Sequence, residues 1–135
     1  MKEKYLAAFI DMAERFGQTS TAERLKVGTL IIKDDRIISL GVNGTPKGWP
    51  SDVCEGPDGQ TWSHVRHSEL AALNKLRSSP ESAVGSTMVV SHSPCQACAI
   101  EIVDSGVKAV YYRHEYRSED GLQYLREQGV GVYKI

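Results

Sequence analysis

The segment from Lys108 to Lys134, KAVYYRHEYRSEDGLQYLREQGVGVYK, decides the fold. Lys108-Ala-Val-Tyr-Tyr112 reads as a short strand of branched and aromatic residues, and Val130-Gly-Val-Tyr-Lys134 reads as another. The seventeen residues between Tyr112 and Val130 hold a helix predicted over Glu119 to Gln128 and stopped by Gly129. A parallel crossover takes about a dozen residues, so the second strand has room to return alongside the first in the same direction. Strands joined in this way make an α/β protein.

Toward the N-terminus the same alternation continues. Thr87-Met-Val-Val-Ser91 reads as a buried strand, and Pro94 opens a helix predicted to run to Ser105, with Gly106 at its end. A further helix is predicted from Val65 to Arg77, closed by Ser78-Ser79-Pro80. Val27 to Lys33 and Arg36 to Leu40 read as an antiparallel hairpin turned by Asp34-Asp35. Leu6, Phe9, Ile10, Ala13 and Phe16 recur at intervals of three and four, which lines one face of a first helix ending at Gly17. The order α-β-β-α-β-α-β-α-β predicts an α/β three-layer sandwich, a five-stranded mixed sheet with helices on both faces, in one domain spanning 1–135. Between Gly41 and Ser63, glycines together with Pro46, Pro50 and Pro57 forbid a long regular element, and loops of this length in compact domains usually serve function.

Hydrophobic residues at 41% and charged residues at 24% are those of a globular chain, which excludes collagen, coiled coil and wholesale disorder. Sixteen Lys and Arg against seventeen Asp and Glu leave a net charge of −1, without the basic field that sequence-independent nucleic-acid binding draws on. No stretch approaches the ~20 apolar residues of a membrane span, and Lys2, Glu3, Lys4, Asp11, Glu14 and Arg15 interrupt the first segment, so neither signal peptide nor membrane anchor is expected. Three cysteines are an odd number. Two of them form Cys95-x-x-Cys98, which points to metal or redox chemistry and a cytoplasmic location.

His67, Cys95 and Cys98 all fall near predicted helix N-termini, as does the carboxylate of Glu69. Cys95 and Cys98 are three apart and share a helical face, and His67 can add a third ligand from the neighbouring helix, leaving a fourth position open. Helix N-termini carry partial positive charge and favour the thiolates that zinc requires. Two thiolates formally neutralise Zn²⁺ and weaken its pull on water, so a nearby base gains importance. Glu69 is two residues beyond His67, which on a regular helix would turn it ~200° away, so His67 is expected in the first turn, where Glu69 can still serve the same site. A closed zinc knot, a thioredoxin-like pair and a capping or core histidine are the alternative readings.

His67-Ser68-Glu69 followed by Pro94-Cys95-Gln96-Ala97-Cys98 resembles the H-x-E…P-C-x-x-C signature of the zinc-dependent cytidine deaminase superfamily. Gly41-Val42-Asn43-Gly44-Thr45-Pro46-Lys47-Gly48 is similar to the G-Y-N-G-x-P-x-G segment of its deoxycytidylate (dCMP) deaminases, as are Lys26-Val27-Gly28 and Tyr116-Arg117. The resemblance runs over essentially the whole chain. It departs at Ser68, where the family usually has Ala, and at Ala71, where it usually has Asn. It implies one Zn²⁺ held by His67, Cys95 and Cys98, with Glu69 as the acid/base in hydrolysis of dCMP to dUMP and ammonia. Cations and neutral donors suit a phosphate monoester, so Lys26, Asn43, Thr45, Tyr116 and Arg117 are the expected substrate contacts.

The resemblance further implies a homohexamer activated by dCTP and inhibited by dTTP with Mg²⁺, and Gly41, Val42, Asn43 and Gly44 are the expected effector segment, because glycines let backbone amides approach a ligand. Some relatives hold a second, structural zinc. Here Ala22 stands where some have Cys, and Cys54 with His64 cannot complete four ligands, which favours a free buried Cys54. The competing functions are a nucleoside, tRNA adenosine or nucleic-acid cytosine deaminase, and a zinc-stabilised binding module without catalysis. The module would have no use for Glu69 beside an open site.

Overall fold

The computed structural model describes residues 1–116 and 118–135. The chain runs through α1 (Glu3–Gly17), β1 (Gly28–Lys33), β2 (Arg36–Val42), α2 (Ser68–Lys75) with a 3₁₀ turn at Leu76–Ser78, and β3 (Thr87–His92). It continues through α3 (Gln96–Asp104), β4 (Ala109–His114), α4 (Asp120–Glu127) and β5 (Gly131–Lys134). The five strands form one mixed sheet in the order β2-β1-β3-β4-β5. β1 pairs antiparallel with both β2 and β3, and β3, β4 and β5 are mutually parallel. The crossover expected between Tyr112 and Val130 therefore forms, and α4 fills it.

Strand alternation sorts the core into two layers. On one face Leu30, Ile32 and Val89 pack against Leu6, Ile10 and Ala13 of α1. On the other, Ile31, Met88, Val90 and Val110 meet Ala72 of α2, Ala99 and Ile102 of α3, and Leu122 and Leu125 of α4. The result is the expected three-layer α/β sandwich. Among the described residues, no helix is long and apolar enough to cross a membrane.

The hairpin turns on Asp34 and Asp35, whose φ values of 52° and 59° are both positive, the backbone that a two-residue loop between twisted strands requires. Gly28 lets α1 lie against β1. A Cβ there would sit 1.9 Å from the Ala13 carbonyl oxygen.

Several boundaries differ from those read in the sequence. α2 begins at Ser68, not Val65, because Arg66 exchanges backbone hydrogen bonds with Gly44 at 2.8 and 3.1 Å and the Val65 N–H donates to Trp62, which commits both residues to the loop. α3 begins at Gln96, with Pro94 and Cys95 still outside the helix. β4 continues past Tyr112 to His114, which is in register with His92 at the end of β3.

Candidate active site

The parallel strand β3 ends beside the N-termini of α2 and α3, the place where open α/β sheets build ligand sites. His67 is the N-cap of α2 with extended φ and ψ of −73° and 154°, and Cys95 is the N-cap of α3 at −71° and 169°. His67 was expected within the first turn, yet it precedes the helix. Its extended backbone lets its ring face the same space as the Glu69 carboxylate, removing the ~200° separation that a helical His67 would impose.

The three donor atoms of His67, Cys95 and Cys98 lie within 4.8 Å of one another. His67 Nδ1 is 3.2 Å from Cys98 Sγ and 3.5 Å from Cys95 Sγ. Zinc bonds of ordinary length in a tetrahedral arrangement separate nitrogen from sulfur by about 3.5 Å, so these three residues would hold a zinc ion. Cys95 is held down to about 4, first by its hydrogen bond with Cys98 and then by His67. The Cys98 thiol is pushed up, first by that hydrogen bond to Cys95 and then by burial. The two thiols thus share one proton through their mutual hydrogen bond, and a cation held between them would favour the thiolate form of both.

Glu69 is 4% exposed. Burial raises its carboxyl above the ordinary carboxylate range, against its own backbone N–H, the Ser68 hydroxyl and the charge of His67. A carboxyl with this bias holds a proton readily and can return it, as a shuttle must.

His67, Glu69 and Cys95 line a cavity of about 530 Å³, a volume within the usual range for small-molecule sites. Two of the expected substrate contacts, Asn43 and Tyr116, lie in its wall. Asn43 holds the wall together: its Oδ1 accepts from Val27 N–H at 2.9 Å and its Nδ2 donates to the Leu25 carbonyl at 2.7 Å. Tyr116 is anchored where its backbone N–H donates to Ser93 Oγ at 2.8 Å. Lys26 and Thr45 lie outside the lining, and Lys26 Nζ donates to the Ser20 carbonyl at 2.9 Å. Arg117 lies outside the described residues.

Of the expected effector segment, Gly41 has a packing reason for its missing side chain. A Cβ would lie 2.5 Å from the Ser68 carbonyl oxygen and 2.6 Å from Ala72 N, so its close approach is to α2 rather than to a ligand. Val42 is the last residue of β2, paired with Gly28, and Gly44 is bridged to Arg66. Cys54 is buried with its sulfur 3.4 Å from Thr21 Oγ1, while His64 stacks on Trp49 with ring centroids 4.0 Å apart. Among the described residues, only His67, Cys95 and Cys98 form a group of three or more donors.

The cavity also contains Arg24, Glu55, His92 and Ser93, which the sequence reading did not single out. A signal existed for the last two. They directly follow the strand predicted over Thr87 to Ser91 and precede Pro94-Cys95, at a strand end where α/β sheets build ligand sites. Nothing local marked Arg24 or Glu55, which meet through the Glu55 carboxylate accepting the Arg24 backbone N–H across thirty-one residues.

The same arrangement recurs in known proteins. A crystal structure of the dCMP deaminase from cyanophage S-TIM5 in complex with dCMP and dUMP superimposes with a TM-score of 0.98 at 44% identity, covering 100% of this chain and 99% of that one. The ComE operon protein 2 of Bacillus subtilis (strain 168) is 31% identical over 130 residues, 94% of this chain and 69% of its own length. The deoxycytidylate deaminase of a Mycobacterium phage is 32% identical over 120 residues, 79% of this chain and 92% of its own length. The family described as the cytidine and deoxycytidylate deaminase zinc-binding region matches residues 2–114, and that span contains His67, Glu69, Cys95 and Cys98. The chain belongs to the cytidine and deoxycytidylate deaminase family.

Proposed function

We propose that this protein hydrolyses dCMP to dUMP and ammonia in the cytoplasm, as a single domain that feeds thymidylate synthesis. The observation that carries the reading is the buried Glu69 carboxyl, in the wall of one cavity with His67 and Cys95, whose donor atoms gather with that of Cys98. A zinc ion on those three residues supplies, when bound, a Lewis acid that makes the attacking water more acidic. Glu69 takes one proton of that water as oxygen bonds to C4 of cytosine and delivers it to N3, then takes the remaining proton from the new C4 hydroxyl and passes it to the amine as the C4–N bond breaks and the C4 carbonyl forms. Asn43 and Tyr116 are the proposed nucleotide contacts within the cavity, with Arg117 following Tyr116. The substrate is chosen from the chemistry of the S-TIM5 relative together with the net charge of −1, which disfavours a nucleic-acid substrate.

Regulation is part of the proposal and rests on the family resemblance: a homohexamer activated by dCTP and inhibited by dTTP, each with Mg²⁺, through the segment from Val42 to Gly44. The decisive experiment follows ammonia release from dCMP, CMP, deoxycytidine and dCTP separately. Preference for dCMP is expected, and equal rates on dCMP and deoxycytidine would replace the reading with a nucleoside deaminase. A hyperbolic dCMP curve unmoved by either triphosphate, with a monomeric mass by light scattering, would remove the regulatory half alone.

A further inference from the structure

Ser68 stands between the first metal donor and the proposed acid/base, and its side chain is fully buried. Its Oγ is 2.9 Å from Glu69 Oε1 and 2.8 Å from the Oγ1 of Thr29, a β1 residue that is also fully buried. The direction of this chain is fixed by proton inventory. An ionised carboxylate has no proton to give, so the Ser68 hydroxyl donates to Oε1. With its one proton committed, Ser68 can only accept from Thr29, so the chain runs Thr29 to Ser68 to Glu69. When Glu69 takes up a proton on Oε2, Oε1 remains an acceptor and the same two bonds persist.

We infer that Thr29 and Ser68 are positioning residues for Glu69. They hold Oε1 throughout the proton cycle and leave Oε2 as the working atom. Thr29 comes from the sheet and Ser68 from the helix that carries Glu69, so the pair ties the orientation of the carboxyl to the buried strand β1. Burial excludes water that would replace either hydroxyl, and so each deletion leaves a vacancy that solvent does not fill. The inference rests on the proposed role of Glu69.

The test is a kinetic double-mutant cycle on zinc-replete S68A, T29V and the double variant, reading ammonia release from dCMP, zinc content and thermal melting. Loss of a hydrogen bond to a carboxylate is expected to lower kcat of S68A about tenfold, with KM within about twofold and zinc unchanged. T29V, which keeps the shape of the side chain, is expected to lower kcat about threefold in the native background and to change nothing further in S68A, because Thr29 acts only through Ser68. A pair that merely packs α2 onto β1 would shift the melting temperatures and leave kcat alone. An S68A kcat within twofold of wild type overturns the inference, as do independent, multiplying effects of the two substitutions. Should S68A not fold, T29V still reads the chain, and an unchanged kcat there overturns it. A wild-type protein that releases no ammonia from dCMP defeats instead the proposed function, a separate result.

Discussion

Replacing Glu69 by Gln is the sharpest perturbation the site offers, because it removes the proton chemistry and almost nothing else. The amide has the same number of heavy atoms, and one of its ends is still an oxygen that can accept the Ser68 hydroxyl, now 2.9 Å from Oε1. The other end becomes an NH₂ group that cannot take up a proton. General acid/base catalysis by a placed carboxyl contributes about 10²–10⁴ in rate, or about 3–5 kcal/mol of barrier, and kcat of E69Q is expected to fall by that factor with zinc retained. Stability should move the other way or not at all. Burial lifts the native carboxyl above the ordinary range, which means that ionising it in place is unfavourable, and a neutral amide has no such penalty. The assay combines ammonia release, elemental analysis and thermal melting on the same preparation. A kcat within tenfold of wild type at full zinc content would falsify the role of Glu69. A melting point well below wild type would show instead that the carboxylate holds the fold.

Three further outcomes follow from the geometry. Replacing His67, Cys95 or Cys98 singly with Ala should abolish stoichiometric zinc, because each supplies one of three donors gathered within 4.8 Å; elemental analysis after metal-replete expression decides. Gly41→Ala should lower stability by about 1–3 kcal/mol, because its Cβ would press on the Ser68 carbonyl oxygen at 2.5 Å, and it should impair turnover by displacing the start of α2; unaltered melting and activity would show that the contact relaxes freely. The third concerns acid. Burial alone would raise the Glu14 carboxyl, but hydrogen bonds from Arg113 and then His114 outweigh it and hold it below its ordinary value of 4.5. A lowered folded-state value gives stability that is present above the ordinary value and lost as pH falls, so E14Q should melt below wild type near pH 7 and the gap should close on descending through the region below pH 4.5. A gap independent of pH would assign the loss to packing.

Much of this protein was already determined by the order of its residues. The three-and-four spacing from Leu6 to Phe16, the alternating strands and the seventeen-residue interval after Tyr112 specify a three-layer α/β sheet, because periodicity is local and survives in the linear chain. Residue chemistry likewise placed His67, Glu69, Cys95 and Cys98 in one group before any fold was known. Hydrogen-bond partners were a different matter. That Lys26 spends its ammonium on Ser20, that Asn43 ties Val27 to Leu25, and that Gly41 is small for the sake of α2 depend on which backbone groups packing brings within 3 Å. Ser68 shows the limit most plainly. In the sequence it was a departure from the usual Ala between His and Glu, and only the docking of α2 on β1 brings it within 2.8 Å of Thr29, thirty-nine residues away. A hydroxyl announces that it can donate and accept, but not to whom, since that choice is made when a buried group must satisfy itself from the neighbours that the folded core happens to supply.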